Sequence, residues 1–585
     1  MKLSCISLAM LPLLSVFSVQ AAVYNVVEVG QVDELKLTYA AGINNTGDTV
    51  FNGAIKVQVG VNDDGNPIYQ PQYFNFPIDL SLIDFENETV QSWFTEAQLN
   101  DLLNGIVTAD TLAILLSRNP SGQQIGAATS FIKADNLVAQ NQLLRDTNAS
   151  RSNNEYLFSI NDQGIAVGFA TNTYVYESFT SEPTEAKPEP ETENLWVPQL
   201  PRTVAVVVRN GEVISLQPEY NDVGGGFSEA LNINNINAIA GYGSISIDDD
   251  IAASIATNCV GKAKPVDQCI YEATPKSAYE QRAMVWQLQP DGTVNQPIVY
   301  GFLGDKNSGL PYNNETSNTE NTIKYKSQAN AVNASGIVVG GSTYSDSSRT
   351  VSYGFEDAIY RQDHATIFTA EGALPIVDPA EWFVYSKSVV GSSAVDINDN
   401  GTIVGYANKV INGSLRSRMF VYDYDTAQLT FPAGFFTSSS TIPRAINNNG
   451  LVVGNAEVIS FGTTTRRKHG YVYDVASSSM TDLNTLVGCN LPYTIVDAAD
   501  INDDGVITAT ALTKRESKDL LGAAVLDAQG NPVMEEVATV VLLQPIANGE
   551  VENCNTDESQ YQRKGGSFGF ILLLISVLCF LRRRP

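Results

Sequence analysis

One short phrase of apolar and polar positions recurs along the chain. It reads apolar, Asn, small polar residues, Gly, then an alternating β-branched run: Ile160-Asn161-Asp162-Gln163-Gly164-Ile165-Ala166-Val167-Gly168. Near-identical copies start at Val332-Asn333, Ile397-Asn398 and Ile446-Asn447 and end at Gly340, Gly405 and Gly454. Weaker ones stand at Ile233-Asn234, with Asn237 in the glycine position, and at Ile501-Asn502, with Ala509 as final residue. A seventh, Ile43-Asn44-Asn45-Thr46-Gly47, keeps only the turn. The seven asparagines are 117, 73, 99, 65, 49 and 55 residues apart. A unit of about fifty residues therefore carries insertions in its early copies.

Asn and Asp bond back to their own backbone, Gly supplies positive φ, and the branched run extends, so the phrase predicts a turn feeding a strand. Two residues past its end stand Ala170, Gly243, Ser342, Ala407, Ala456 and Ala511, small residues on one face of a period-two strand. Close packing on that side suits the innermost strand of a propeller blade. Aromatic strands lie between copies, as in Arg418–Asp423, His469–Asp474, Arg282–Trp286 and, more loosely, His364–Phe368. The expected fold is all-β, a β-propeller of about seven four-stranded blades, which leaves few sheet edges unprotected. Tyr24–Gly30 is expected to pair beside Val537–Leu543 and close the ring. A β-solenoid or a pair of sandwiches is the alternative.

Departures from the period mark insertions. Leu and Ile fall at helical spacing in Thr95–Gly105 and Asp110–Ser117, predicting a small helical excursion between the first two copies. Ser181–Glu193 reads as an acidic, proline-rich linker loop.

The ends carry processing patterns. Lys2, an apolar run to Val19 and Val19-Gln20-Ala21 before Ala22 predict a signal peptide over 1–21, cut between Ala21 and Ala22; an N-terminal anchor is the alternative. The repeat domain then spans 22–549, a stalk 550–564 and a tail 565–585. In the tail, Gly565-Gly566 precedes an apolar stretch from Ser567 to Leu581 and then Arg582-Arg583-Arg584. As a transmembrane helix that stretch reaches only about 22 Å against a hydrocarbon core of about 30 Å. The arginines would stay cytoplasmic, leaving the repeat domain outside. Paired glycines weaken helix and open the backbone to an intramembrane protease. The tail resembles the GlyGly-CTERM sorting signal of Gram-negative bacteria. That resemblance implies cleavage near Gly565-Gly566 by a rhombosortase-type protease, with type II secretion as a further partner; an ordinary C-terminal anchor is the alternative. The repeats resemble the HAF family of extracellular repeats, best over His469–Ala511. Together with the tail they resemble an uncharacterised family of bacterial surface proteins, which implies no defined activity.

Processing sharpens the charge. Removing Lys2 and Arg582–Arg584 leaves 31 bases against 64 acids, a net −33, which argues against nucleic acid as a partner. Cys259, Cys269, Cys489 and Cys554 remain in the exported part and predict two disulfides. Of three pairings, Cys259–Cys269, stapling a surface loop, with Cys489–Cys554 is the most economical.

Candidate chemistry is sparse. Asp396–Gly401 and Asp500–Gly505 match the first half of a calcium loop, but Ala407 and Ala511 stand where the closing glutamate belongs, so a hairpin turn is the expectation, with bound calcium the alternative, and no cofactor is assigned. His364 and His469 lie on aromatic strands as structural residues. The repeat domain has no G-x-S-x-G, H-E-x-x-H or phosphate loop. No catalytic residue is assigned. The leading expectation is an exported, non-enzymatic module that binds a surface ligand or glycan through loops on one face. A secreted hydrolase or lyase with acids around a central channel is the rival.

Overall fold

The computed structural model describes residues 23–61, 67–74, 78–134, 140–145, 152–183, 188–304, 325–345, 362–378, 389–459, 465–489, 491–549 and 551. Seven four-stranded antiparallel sheets follow one another along the chain, spanning 37–142, 155–216, 228–299, 327–375, 389–430, 441–482 and 494–546. Blade six shows the plan: Thr441–Ile446 innermost, then Leu451–Ile459, Arg466–Asp474 and Ser479–Asp482. The expected all-β seven-bladed propeller is the fold. Its last blade is completed by Val23–Glu28, which pairs antiparallel with Met534–Ile546 from Val23 opposite Ile546 to Glu28 opposite Val541. The expectation for Tyr24 was right, and this strand covers the outer edge of Met534–Ile546.

Sheets bury both faces against neighbouring blades, so the strands are near-continuous apolar runs. Ile165, Val167, Ala205, Val207 and Leu216 of blade two pack on Ala230, Ile233, Ile239, Met284 and Trp286 of blade three. The small residues past each phrase are fully enclosed: Ala170, Ser342, Ala407, Ala456 and Ala511 expose nothing.

One expectation needs correction. The Gly-bearing strand is second from the axis; the innermost strand is the one that ends at the phrase's Asn. All seven innermost strands carry a β-bulge just before that Asn, as between Leu157 and Ser159 or Ala394 and Asp396. The bulge pushes a carbonyl toward the second strand, so a Cβ on Gly168, Gly241, Gly340, Gly405 or Gly454 would collide with the oxygen of Tyr156, Glu229, Gln328, Ser393 or Ile442. The phrase ends in glycine for that reason. Blades one and seven place Phe51 and Ala509 there.

The strand directions sort the connections. First-to-second and third-to-fourth links are short turns on one face, the turn face. Second-to-third links and blade crossovers lie on the other, the insert face. There blade one carries α1 (Glu88–Gln91), α2 (Glu96–Leu103) and α3 (Ala109–Arg118), the expected helical excursion. A second helical insert, which the sequence reading missed, sits on blade three: α4 (Asp249–Asn258), N-capped by Asp248, and α5 (Val266–Ala273). Cys259 and Cys269 are bonded, Cα atoms 5.4 Å apart, and so staple two helices rather than a surface loop. The acidic proline-rich stretch, described at 181–183 and 188–193, lies between the paired strands Tyr174–Thr180 and Thr192–Pro198 on blade two. Both ends of the ring, Val23 and Ile546, leave from the turn face.

No helix among the described residues is long and apolar enough to cross a membrane. Ala21, Ala22, Cys554, Gly565, Gly566 and the expected transmembrane helix lie outside the described residues. Cys489 is also disulfide-bonded, to a partner outside them.

Candidate functional site

The seven repeat turns meet around the axis. Within a turn the Asn side-chain oxygen accepts from two backbone amides, for Asn161 those of Gln163 and Ile165 at 3.1 Å each, and Gly164 takes φ 71°. That leaves the amide nitrogen free to reach the next blade. Asn44 donates to the carbonyl of Asn161 (2.9 Å), Asn161 to Asn234 (3.2 Å), Asn234 to Asn333 (3.0 Å) and Asn333 to Asn398 (3.1 Å). Asn398 donates to Asn447 (3.0 Å), Asn447 to Asn502 (2.9 Å) and Asn502 back to Asn44 (3.1 Å). The result is a closed ring of seven inter-blade hydrogen bonds, with six of the asparagines at most 5% exposed.

A second belt lies outside it. The residue after each Asn offers its backbone amide to the matching side chain of the next blade: Asn45 to Asp162, Asp162 to Asn235, Ala334 to Asp399, Asp399 to Asn448, Asn448 to Asp503 and Asp503 to Asn45, at 2.8–2.9 Å. Ala334 has no acceptor to offer, so the link from blade three to four is missing.

A third set comes from the bulge, which aims the residue two before each Asn at the next blade. Ser159 accepts from Ile233 N (3.3 Å), Asn232 from Val332 N (3.4 Å), Asp396 from Ile446 N (2.8 Å) and Asp500 from Ile43 N (2.9 Å). These groups line a polar axial cavity of ≈ 160 Å³. Burial raises the Asp396 carboxyl to about 6, with Asp399 adding to it. Burial raises Asp500 to about 7, and repulsion from Asp396 adds to it. Each touches the solvent of the channel but lies deep inside the ring.

The two calcium-like stretches are therefore turns whose first acids clasp the next blade, and Asp399 and Asp503 likewise spend their oxygens on neighbouring amides. No group of three or more metal-ligating side chains gathers among the described residues. His469 Nδ1 lies 2.7 Å from Asp482 on its blade's outer strands, and His364 is buried in its aromatic strand, so neither reaches the channel. The sequence reading took the invariant Asn as a turn former and missed its second role. The signal was there: across seven copies the Asn never changes, whereas the next position is Asn, Asp or Ala.

Bulged inner strands, a hydrogen-bonded axial ring and an N-terminal strand in the last sheet define a closed seven-bladed propeller. The chain belongs to the family described as Protein of unknown function (DUF3466), whose model matches residues 1–584. No curated protein matches it in sequence. Among solved structures it is similar to a protein from Bacteroides ovatus described as a dipeptidyl aminopeptidase IV (10% identity, TM-score 0.25, covering 66% of this chain and 50% of that one). It is also similar to TolB from Acinetobacter baumannii (8%, 0.26, 73% and 77%) and to the β-propeller domain of the Trilobed protease from Pyrococcus furiosus (10%, 0.24, 70% and 98%). The chain spans half the length of the first of these, and at such values none bears on activity.

Proposed function

We propose that this protein is an exported binding module whose insert face engages a partner outside the cell. The observation that carries the reading is the division of the two faces. Every long described insert leaves the ring on one face, whereas both chain ends leave it on the other. A tether at either end would hold the turn face toward the membrane and present the inserts outward, and loops on a rigid scaffold are where recognition concentrates. The channel acids favour binding over hydrolysis, since their oxygens hold blade-to-blade amides.

In this reading signal peptidase cuts after Ala21. The tail holds the ring at the inner membrane until a rhombosortase-type protease acts at Gly565-Gly566, and type II secretion carries it outward to the surface or medium. Intact-mass analysis of the secreted protein tests the export half; a mass that includes Phe568–Pro585 would refute release. For the binding half, replacing residues 249–274 by a short Gly-Ser turn should leave the ring folded and reduce retention of the full chain on the producing cells. Unchanged retention, with turnover of a polymeric substrate lost in Asp396→Asn, would favour the hydrolase.

A further inference from the structure

We infer that the insert face of blades five and six binds an anionic polysaccharide, a chain of sugar rings carrying carboxylates. This names a ligand class for the binding reading and rests on it. Strand direction places Lys409, Arg416, Arg418, Arg466, Arg467 and Lys468 together at the insert-face ends of paired strands. Between residues 402 and 474 the acids are Asp423, Asp425, Asp474 and Glu457, and the first three sit at the opposite, turn-face ends. Glu457 lies among the bases and pairs with Arg416 (3.6 Å) and Arg466, so in a chain of formal net charge −29 the patch is one in which bases outnumber acids.

The patch is built around a loop. Arg418 donates to the carbonyls of Pro432 (3.2 Å) and Thr437 (2.9 Å), and Arg466 to the carbonyl (2.7 Å) and hydroxyl (3.1 Å) of Ser438. Lys409 lies 3.5 Å from the centroid of Phe431, and Arg466 5.2 Å from that of Phe436. These clamps hold Phe431, Phe435 and Phe436 partly exposed beside Arg467 and Lys468, which are exposed. Apolar rings suit the C–H faces of sugars, and the bases suit their carboxylates.

Shape selects among polyanions. Among the described residues, blades one, two, three and seven carry inserts here, but the second and third strands of blade five are joined by Asn412-Gly413 alone. The patch thus adjoins the longer 517–533 segment of blade seven, which a flat bilayer would have to accommodate. Duplex DNA, stiff over about 50 nm, cannot bend around such a segment, whereas a single glycan chain can. Screening to about 8 Å at physiological salt confines the repulsion of the acidic remainder.

The test is affinity of the purified mature protein for polygalacturonate at physiological salt, beside neutral dextran, duplex DNA and phosphatidylglycerol vesicles. Binding to polygalacturonate alone is expected. Arg467→Glu with Lys468→Glu should weaken it by roughly tenfold or more at unchanged melting temperature, and Lys133→Glu, on the turn face of blade one, should leave it intact. No binding to polygalacturonate, tighter binding to DNA or vesicles, or equal affinity in the double variant would overturn the proposal. If deleting 249–274 reduces cell retention while the double variant binds as before, the binding module stands and this site falls.

Discussion

The side-chain amide of Asn502 donates to the backbone carbonyl of Asn44 at 3.1 Å across 458 residues of sequence, and this bond closes the axial ring. Each asparagine in the ring is donor to one blade and, through its carbonyl, acceptor from another. Its side-chain oxygen meanwhile holds its own turn. Loss of one member therefore damages a turn and two blade interfaces together.

Asn447→Ala tests this. It removes the bond to Asn502 (2.9 Å) and the acceptor of the Asn449 and Leu451 amides (3.1 and 2.9 Å) at a site 4% exposed. A cost of about 2–4 kcal/mol is expected, because buried donors are left unpaired. The neighbouring Asn448→Ala, on the exposed second belt, should cost about 1 kcal/mol or less. Equal shifts in denaturant midpoint for the two variants would contradict the ring's structural role.

The glycines of one repeat should separate in the same way. Gly336 takes φ 78° in an open turn, whereas a Cβ on Gly340 would strike the carbonyl of Gln328. Gly336→Ala should cost about 1 kcal/mol, from backbone conformation alone. Gly340→Ala should cost at least about 3 kcal/mol, because the bulged inner strand cannot yield without breaking its inter-blade contacts. Thermal melts of the two variants provide the comparison.

Much of this was legible in the sequence, and the limits have physical causes. A local turn chemistry repeated seven times gave the blade count, and the strand expected at Tyr24–Gly30 does pair beside Val537–Leu543. The strand order within a blade was misread because small residues signal close packing without saying on which side the carbonyl approaches. Only the bulge between Ala394 and Asp396, or its equivalents, decides that. Asp396 and Asp500 stood out as acids, but their partners Ile446 and Ile43 lie in other blades and no local pattern predicts such bonds. α4 and α5 match α3 and α2 in length, and Ile251 with Ile255 and Val266 with Ile270 stand at helical spacing, so that signal was present and was not read.

The channel acids give a pH signature. Asp500 and Asp396 titrate at about 7 and about 6 in the folded protein, against about 3.9 for an unfolded aspartate. The folded state thus binds protons more tightly, and the stability this confers is fully present below about pH 4 and lost as pH rises through 6 and 7. Asp500→Asn keeps an acceptor for the Ile43 amide and removes the charge. It should match the parent near pH 4 and be more stable at pH 8 by about 1–2 kcal/mol, with channel solvent screening part of the charge. Urea titrations at the two pH values check this; a variant less stable at pH 8 would show that the carboxylate favours folding.

The closing strand supplies the last prediction. Glu28 sits at the insert-face end of Val23–Glu28, accepts from Thr539 Oγ1 (2.6 Å) and the Tyr493 hydroxyl (3.2 Å), and pairs with Arg515. Burial already pulls the Arg515 guanidinium below its usual range, so removing its partner leaves a half-buried cation uncompensated. Glu28→Ala should therefore cost about 1–3 kcal/mol and loosen this strand before the rest of the ring. Amide exchange should rise first at Val540–Leu543, whose outer edge the strand covers. Deleting residues 22–28 should go further: the same edge, rich in Val and Leu, becomes a template for another chain, and light scattering should show species larger than those of the parent. If exchange rose evenly around all seven blades in Glu28→Ala, the last blade would not be the seam at which the ring opens.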